Sequence, residues 1–321
     1  MLICGDWGTS SLRLRLVDVS TGVVVAETAS DRGIAATYAA WQEGGAAGDS
    51  GDSGDSGASS GSRAAFYLDV LSDGIRLLGP GAAGVDIVLS GMASANIGLR
   101  ELPYKELPIR ADGSDLLCAR LEASSSFPHR ILLISGVRSA RDVMRGEETQ
   151  LAGCPPAEGP HRYIFPGTHS KHILVRDGNV LDFQTYMTGE FFALLSRQSL
   201  LARSVTENVS AYPGAFAQGV ADGAGANLLR SAFWVRTNQL LDRLHPLQNY
   251  HYLSGLLIGS ELGSLSSDNI PITIVGNVLQ TEQYAAAASV LGLTHVHALE
   301  GSPVSIKGQC LIWNHFIRQD S

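Results

Sequence analysis

Apolar positions along this chain fall into short runs separated by glycine turns, with longer helical stretches between them. Leu12-Arg13-Leu14-Arg15-Leu16 repeats leucine at every second position, the period of a strand with one buried face. Leu2-Ile3-Cys4 precedes it, and Val23-Val24-Val25 follows after Gly22, so the opening segment predicts strand, turn, strand, turn, strand. The plan recurs from Tyr163-Ile164-Phe165 through Ile173-Leu174-Val175 to Val180-Leu181. Superposing Gly8-Thr9 on Gly167-Thr168 also brings Asp18 onto Asp177 at the start of the second turn, so the two halves read as copies of one fold. Asp86-Ile87-Val88-Leu89, Arg130-Ile131-Leu132-Leu133-Ile134 and Ile272-Thr273-Ile274-Val275 predict buried strands, and 190–202, 227–244 and 281–291 predict helices. The expectation is an α/β protein of two domains, 1–158 and 159–321.

Composition narrows the partners. A chain of 321 residues with 45% hydrophobic and 17% charged residues is long enough for two globular cores. The formal charge of -8, with no Lys/Arg cluster, argues against nucleic acid or an anionic membrane as partner. The first residues carry no basic segment ahead of an apolar run, and no stretch reaches the ~20 apolar residues of a membrane span, so a soluble, cytoplasmic protein is expected. Cys4, Cys118, Cys154 and Cys310 lie far apart without a Cys-x-x-Cys pair and read as reduced thiols. The nine histidines show no metal-ligand spacing. From 43 to 62 the sequence is, after Glu43, only Gly, Ala, Ser and Asp, with Asp-Ser-Gly repeated from Asp49 to Gly57, and predicts a flexible surface insertion.

The turns carry the candidate chemistry. In Asp6-Trp7-Gly8-Thr9-Ser10, a glycine lets backbone approach a phosphate, amides and hydroxyls of Thr9 and Ser10 can donate to it, and Asp6 can hold a hydrated cation. The same residues are also common in ordinary hairpin turns. Gly167-Thr168-His169-Ser170 offers a second such turn. No Gly-x4-Gly-Lys-Ser/Thr string occurs, and no Gly-x-Gly-x-x-Gly follows a strand, which leaves P-loop and Rossmann nucleotide sites without support.

These strings resemble the phosphate motifs of the superfamily of sugar kinases, Hsp70 and actin, and Ile274-Val275-Gly276-Asn277-Val278 resembles its adenosine motif. Longer strings are similar, in order, to 2-dehydro-3-deoxygalactonokinases: Ser90-Gly91-Met92-Ala93-Ser94, the segment from Asp142 to Leu151, Phe165 to Lys171, and Thr188-Gly189-Glu190-Phe191-Phe192. The similarity spans nearly the whole chain apart from the Asp-Ser-Gly tract. It departs at Asn277, where a second glycine is usual, and at Phe165, where many relatives have Asp, which leaves metal handling chiefly to Asp6.

The resemblance implies two ribonuclease H-like domains with an ATP cleft between them, and ATP- and Mg²⁺-dependent phosphorylation of a 2-keto-3-deoxy sugar acid, best matched by 2-dehydro-3-deoxygalactonate. It implies phosphate contacts from Gly8, Thr9, Ser10, Gly167, Thr168, His169, Ser170 and Lys171, and adenosine contacts from Gly255, Gly259, Gly276 and Asn277. By the matching position of the glycerol-kinase branch, Glu147 is the first candidate for the base that takes the hydroxyl proton, with Asp142 and Glu148 behind it. Sugar-acid contacts are expected from Arg13, Gly91, Met92, Arg141 and Glu190, the arginines as carboxylate partners. A kinase of another sugar, or a sugar- and nucleotide-binding regulator without catalysis, are the alternatives on the same fold, and a homo-oligomer is compatible with the sequence.

Overall fold

The computed structural model describes residues 1–45, 62–207, 211–267 and 269–318; the Asp-Ser-Gly tract lies outside them. Contacts divide the chain into two compact units: Met1–Pro156 with Gly178–Val180 and Pro303–Ser321, and Ala157–Asp177 with Leu181–Ser302. The C-terminal segment, expected from sequence in the second domain, thus clusters with the first unit.

In the first unit β1 (Leu2–Trp7), β2 (Leu12–Asp18) and β3 (Val23–Ser30) form an antiparallel set, and β1 runs parallel to β4 (Ile87–Gly91). The strands Ile131–Ile134 and Cys118–Leu121 complete the sheet. Strand period assigns the two faces. Ile3, Trp7, Leu12, Leu14, Leu16, Ile87 and Leu89 turn to one side, where α1 (Ile34–Gly45) begins on Ile34 and α2 (Arg63–Leu77) contributes Tyr67, Val70, Leu71 and Ile75. Each such fully buried side chain stabilises the unit by about 1.5–3 kcal/mol, which makes this face the core.

The opposite face carries Cys4 and Asp6 on β1 and Ser90 on β4. The last helix, Gly301–Arg318, lies against it. Gln309 Nε2 donates to the Gly5 carbonyl at 2.7 Å and to Ser90 Oγ at 2.9 Å, and Cys310 Sγ stands 3.9 Å from Cys4 Sγ. A short helix, α3 (Glu147–Gly153), crosses the last helix where Gly153 and Gly308 meet. A side chain at Gly308 would collide with the Thr149 carbonyl, and one at Gly153 with the Val304 carbonyl, so the two backbones touch.

The second unit repeats the arrangement. Its strands run in the order Val296–Glu300, Ile272–Gly276, Pro160–Phe165, Ser170–Arg176, Asn179–Tyr186, with the first pairs parallel and the 160–176 hairpin antiparallel. Two helices, Pro213–Gly225 and Pro246–Leu262, pack on it through Phe216, Val220, Ile258 and Leu262 and on each other through glycines. A Cβ on Gly255 would meet the Phe216 carbonyl and one on Gly259 the Val220 carbonyl, while Gly219 and Gly223 face Tyr252 and Leu256 in return. The continuous helix expected over 227–244 is instead Leu228–Ser231 and Trp234–Leu240: Asn227 caps the first piece with its side chain on Leu229 N, and Phe233 opens the second. The helix expected to reach residue 202 ends at Arg197, because Ser199 Oγ turns back to the Leu195 carbonyl and accepts from Leu201 N, starting a separate tight turn.

Candidate active site

Both polar turns rest on the start of a helix. In the first unit Gly8 N donates to the Ser11 carbonyl at 2.9 Å, closing the hairpin. Ile34 N and Ala35 N of α1 then donate to the Gly8 and Thr9 carbonyls at 2.9 and 3.1 Å. Gly33 lies flat on the turn, since a side chain there would strike the backbone of Thr9, Ser10 and Ser11. In the second unit Glu190 N donates to the Thr168 carbonyl at 3.0 Å, and a Cβ on Gly189 would lie 2.8 Å from Thr168 Cα. The internal repeat therefore extends to a glycine and a helix start under each turn. With the carbonyls tied down, the free side of each turn presents amides, the usual geometry for an anion. Thr9 and Ser10 are exposed, as this requires.

Behind the first turn, Asp6 pairs across the strands with Arg13 and Ser90. Burial pushes its carboxyl above the ordinary range, the Arg13 and Arg15 guanidiniums oppose that shift, and the Glu147 carboxylate adds to it. Arg15 is itself buried and bound to Glu27 at 3.0 Å, while Arg13 is exposed. Gly91, at φ 80°, is pressed between these groups: a Cβ would lie 2.8 Å from the Trp7 carbonyl and 3.2 Å from Asp6 Oδ1. Gly146 packs against Gly91 in turn, at 3.5 Å from Gly91 Cα to a Cβ built on Gly146. Asp6, Gly91, Gly146 and Glu147 thus form one cluster.

The start of α3 is braced by its own carboxylates. Glu147 Oε2 accepts from Arg145 N at 3.1 Å, and Glu148 Oε2 accepts from Gly146 N at 2.7 Å. Glu148 is 2% exposed, and burial together with the Glu147 charge pushes it up to about 7. Its other oxygen accepts from Thr149 Oγ1 at 2.9 Å, so Glu148 faces inward and Glu147 is the more accessible of the pair. Arg145 donates to the Ser94 carbonyl at 2.7 Å and to Ser94 Oγ, and stacks over Tyr104 at 4.3 Å, fixing the turn after β4 to α3. Met92 is half-buried against the core of the first unit. Asp142 closes a turn by accepting at its carbonyl from Ser139 N at 2.9 Å, next to an exposed Arg141.

In the second unit the turn faces differently from what the sequence suggests. Ser170 is fully buried, its hydroxyl engaged with Gly167 N and Tyr284 rather than solvent. Lys171 is also buried, and its Nζ donates to the His169 carbonyl at 3.1 Å. Glu190, expected on the sugar acid, meets His169 Nε2 at 2.5 Å. Phe165, in the place that Asp6 holds in the first copy, is buried and carries no charge. A cavity of about 850 Å³ opens beside this turn, lined by Gly167, Gly189, Phe192, Tyr212, Leu257 and Gln280 among others. Gly255 and Gly259 face the neighbouring helix instead, and the residues beside them, Ser254, Leu257 and Ile258, line the cavity. Asn277 caps the helix Val278–Val290 by accepting from Gln280 N at 2.9 Å, and Gln280 Nε2 donates to the Pro166 carbonyl at 3.1 Å, so the Gly276-Asn277 turn reaches the second hairpin through Gln280. Gly33, Gln309 and the aromatic lining of the cavity were missed from sequence. A glycine after the third strand in each repeat was the available signal for Gly33.

Two α/β units of one strand order, each offering an amide-lined turn, define the actin-like ATPase fold of the sugar kinases. The chain belongs to the 2-keto-3-deoxy-galactonokinase family, whose model matches residues 6–312, and it is a kinase of that sugar acid. It is 30% identical over 313 residues to "Probable 2-dehydro-3-deoxygalactonokinase DgoK1" of Rhizobium meliloti (strain 1021), covering 92% of each chain. It is 32% identical over 214 residues to the 2-dehydro-3-deoxygalactonokinase of Escherichia coli (strain K12), covering 64% of this chain and 71% of the relative. A crystal structure from Sinorhizobium meliloti assigned as a 2-dehydro-3-deoxygalactonokinase superposes with a TM-score of 0.77 at 27% identity, covering 96% of this chain and 97% of that one. An activator of the 2-hydroxyisocaproyl-CoA dehydratase from Clostridium difficile shares the fold alone, with a TM-score of 0.50 at 11% identity.

Proposed function

We propose that this kinase transfers the γ-phosphoryl group of ATP to the 6-hydroxyl of 2-keto-3-deoxygalactonate, with Glu147 as the general base and the cavity of the second unit as the adenosine site. The cluster of Asp6, Gly91, Gly146 and Glu147 carries the reading: the close contact of Gly91 with Trp7 and Asp6, and of Gly146 with Gly91, brings the start of α3 and its more accessible carboxylate, Glu147, near Asp6 behind the first turn. Phosphoryl transfer depends mainly on positioning and charge neutralisation, so the protein must supply donors for the phosphate oxygens and an acceptor for one proton. Each unit has its own donors: the amides of Thr9 and Ser10 in the first and those of Thr168 and His169 in the second. Glu147 accepts the hydroxyl proton as the oxygen attacks, while its bond from Arg145 N keeps the carboxylate from swinging away. Arg13 and Arg141, both exposed, are the guanidiniums available to the sugar carboxylate.

Among the described residues no group of three or more His, Cys, Asp or Glu gathers to hold a bare ion. Mg²⁺ in kinases keeps several waters and takes one or two carboxylates together with phosphate oxygens, and Asp6 beside the Thr9-Ser10 turn fits that need. Bound there, Mg²⁺ would neutralise charge on the phosphates. None of the described helices is long and apolar enough to cross a membrane.

The test is ADP release, coupled to an optical readout, across a panel of 2-keto-3-deoxy acids and simple sugars, for the wild type and Glu147→Gln. The glutamine keeps the shape and the acceptor for Arg145 N but not the basicity, so kcat should fall about 10²–10⁴-fold with little change in ATP affinity. Near-wild-type turnover by Glu147→Gln would remove it as the base, and preference for a simple sugar over every keto acid would overturn the substrate.

A further inference from the structure

Beneath the second turn lies a buried polar network that the reaction does not use directly. Glu261, 3% exposed on the helix Pro246–Leu262, accepts from three side chains: His172 Nε2 at 2.8 Å, Tyr284 OH at 2.7 Å, and Thr188 Oγ1. His172, Tyr284 and Ser170 are buried too, and Tyr284 OH is 2.9 Å from Ser170 Oγ. Ser170 Oγ in turn lies 3.4 Å from Gly167 N, in the turn itself. The network draws on four elements: the strand Ser170–Arg176 and the helices that contain Thr188, Glu261 and Tyr284.

The chemistry of a carboxylate fixes every direction in this chain. An ionised Glu261 can only accept, so Tyr284 must donate to it. The Tyr284 oxygen then accepts the Ser170 proton, and Ser170 Oγ accepts from Gly167 N–H. Burial and the nearby carboxylate hold the Tyr284 hydroxyl well above its usual range, which keeps it a donor. At His172, Nε2 faces the Glu261 carboxylate at 2.8 Å and the buried Nδ1 has no partner. A charge-assisted chain of this kind is stronger than its neutral equivalent and tolerates only one arrangement.

We infer that Glu261 is a positioning residue for the second phosphate turn, setting the Gly167 amide through Tyr284 and Ser170 and thereby aiming the Thr168 and His169 amides at the nucleotide phosphates. The same carboxylate holds Thr188, whose neighbour Gly189 lies under the turn, so one group sets the turn from two sides. The inference rests on the reading that this unit binds ATP. It is distinct from that reading, since Glu261 itself does not line the cavity, although Thr188 and Tyr284, which it holds, do.

The experiment compares Tyr284→Phe, Ser170→Ala and their double variant in steady-state kinetics. Tyr284→Phe removes one oxygen that is enclosed by Ser170 and Glu261. Each single variant should raise the KM for ATP about 5–20-fold while the KM for the sugar acid stays within about twofold, as expected for loss of one buried hydrogen bond in a site that senses it. Because the links act in series, the double variant should cost no more than the worse single one. An ATP KM within twofold of wild type for Tyr284→Phe, equal rises in both KM values, or additive losses in the double variant would each overturn the inference. Ser254→Trp, which projects a ring into the cavity, separates it from the nucleotide reading. Retained binding of a nonhydrolysable ATP analogue by that variant would refute the cavity as the adenosine site, while the Tyr284→Phe result would still report on the turn.

Discussion

Replacing Gly91 by alanine probes how closely the turn after β4 is tied to Asp6. Two costs are distinguishable. The first is conformational: φ 80° with ψ -148° is a region that only glycine occupies easily, and a side chain there costs about 1–3 kcal/mol. The second is contact: the new Cβ would lie 2.8 Å from the carbonyl of Trp7, a residue that is fully buried and cannot retreat. Overpacking of this kind costs about 1–3 kcal/mol more. The Asp6 carboxylate, 3.2 Å from the same point, is the softer neighbour and should rotate. Gly79→Ala supplies the control, because Gly79 has φ 89° with nothing within 4 Å of its built Cβ, so it incurs only the first cost. By thermal unfolding Gly91→Ala should therefore fall further than Gly79→Ala, by about 4–8 °C for a unit of this size. In the ADP-release assay its kcat should fall at least about tenfold, since displacement of a catalytic group by a fraction of an ångström is enough for that. Gly79→Ala should keep wild-type turnover. A Gly91→Ala protein no worse than Gly79→Ala in both measurements would refute the close packing of Gly91 on Trp7 and Asp6.

Three further outcomes follow from particular side chains. Glu148 titrates near 7 when folded against an ordinary value of 4.5, so its contribution to stability is fully present below about pH 4.5 and is lost as the pH rises through 7. That loss is roughly 3 kcal/mol, and Glu148→Gln should flatten the decline of melting temperature between pH 5 and 8; an unchanged slope would show that Glu148 is not the titrating group. Gly255→Ala should lower the melting temperature by forcing apart the helices Pro213–Gly225 and Pro246–Leu262, yet leave the KM for ATP near wild type at low temperature, and the reverse pattern would return Gly255 to the nucleotide. Asp6→Asn should shift the Mg²⁺ dependence of turnover to higher concentration as well as slow it, whereas a slower enzyme with an unchanged Mg²⁺ curve would separate Asp6 from the metal.

The repeat was legible because it is written in local terms. Strand period in Leu12 to Leu16, the turn residues around Gly8 and Gly167, and the apolar runs at β4 and Ile272–Val275 each report on their own segment. What stayed hidden depends on distant partners. Gly255 and Gly259 look like ligand glycines in sequence, and only the Phe216 and Val220 carbonyls opposite explain why no side chain fits. Ser170 and Lys171 sit in a phosphate-like string, but Tyr284 and the His169 carbonyl claim their polar atoms. Glu147 and Glu148 are indistinguishable as letters, and burial of the second makes them different acids.

The seat of the last helix has a consequence for how the chain is made. The face of β1 that carries Cys4 and Asp6 is covered by Gln309 and Cys310, so this strand awaits a segment that lies 304–306 residues further along the chain. At the usual rate of about 5–20 residues per second, this interval lasts roughly 15–60 s on the ribosome. During it the core under α2 can close, and so can the second unit, since neither draws on the last helix beyond Ser302. The Asp6 side cannot. If the function proposed above holds, the unit that takes the nucleotide can fold before the face of β1 behind the first turn is covered, and that face closes only once Gly301–Arg318 packs on β1.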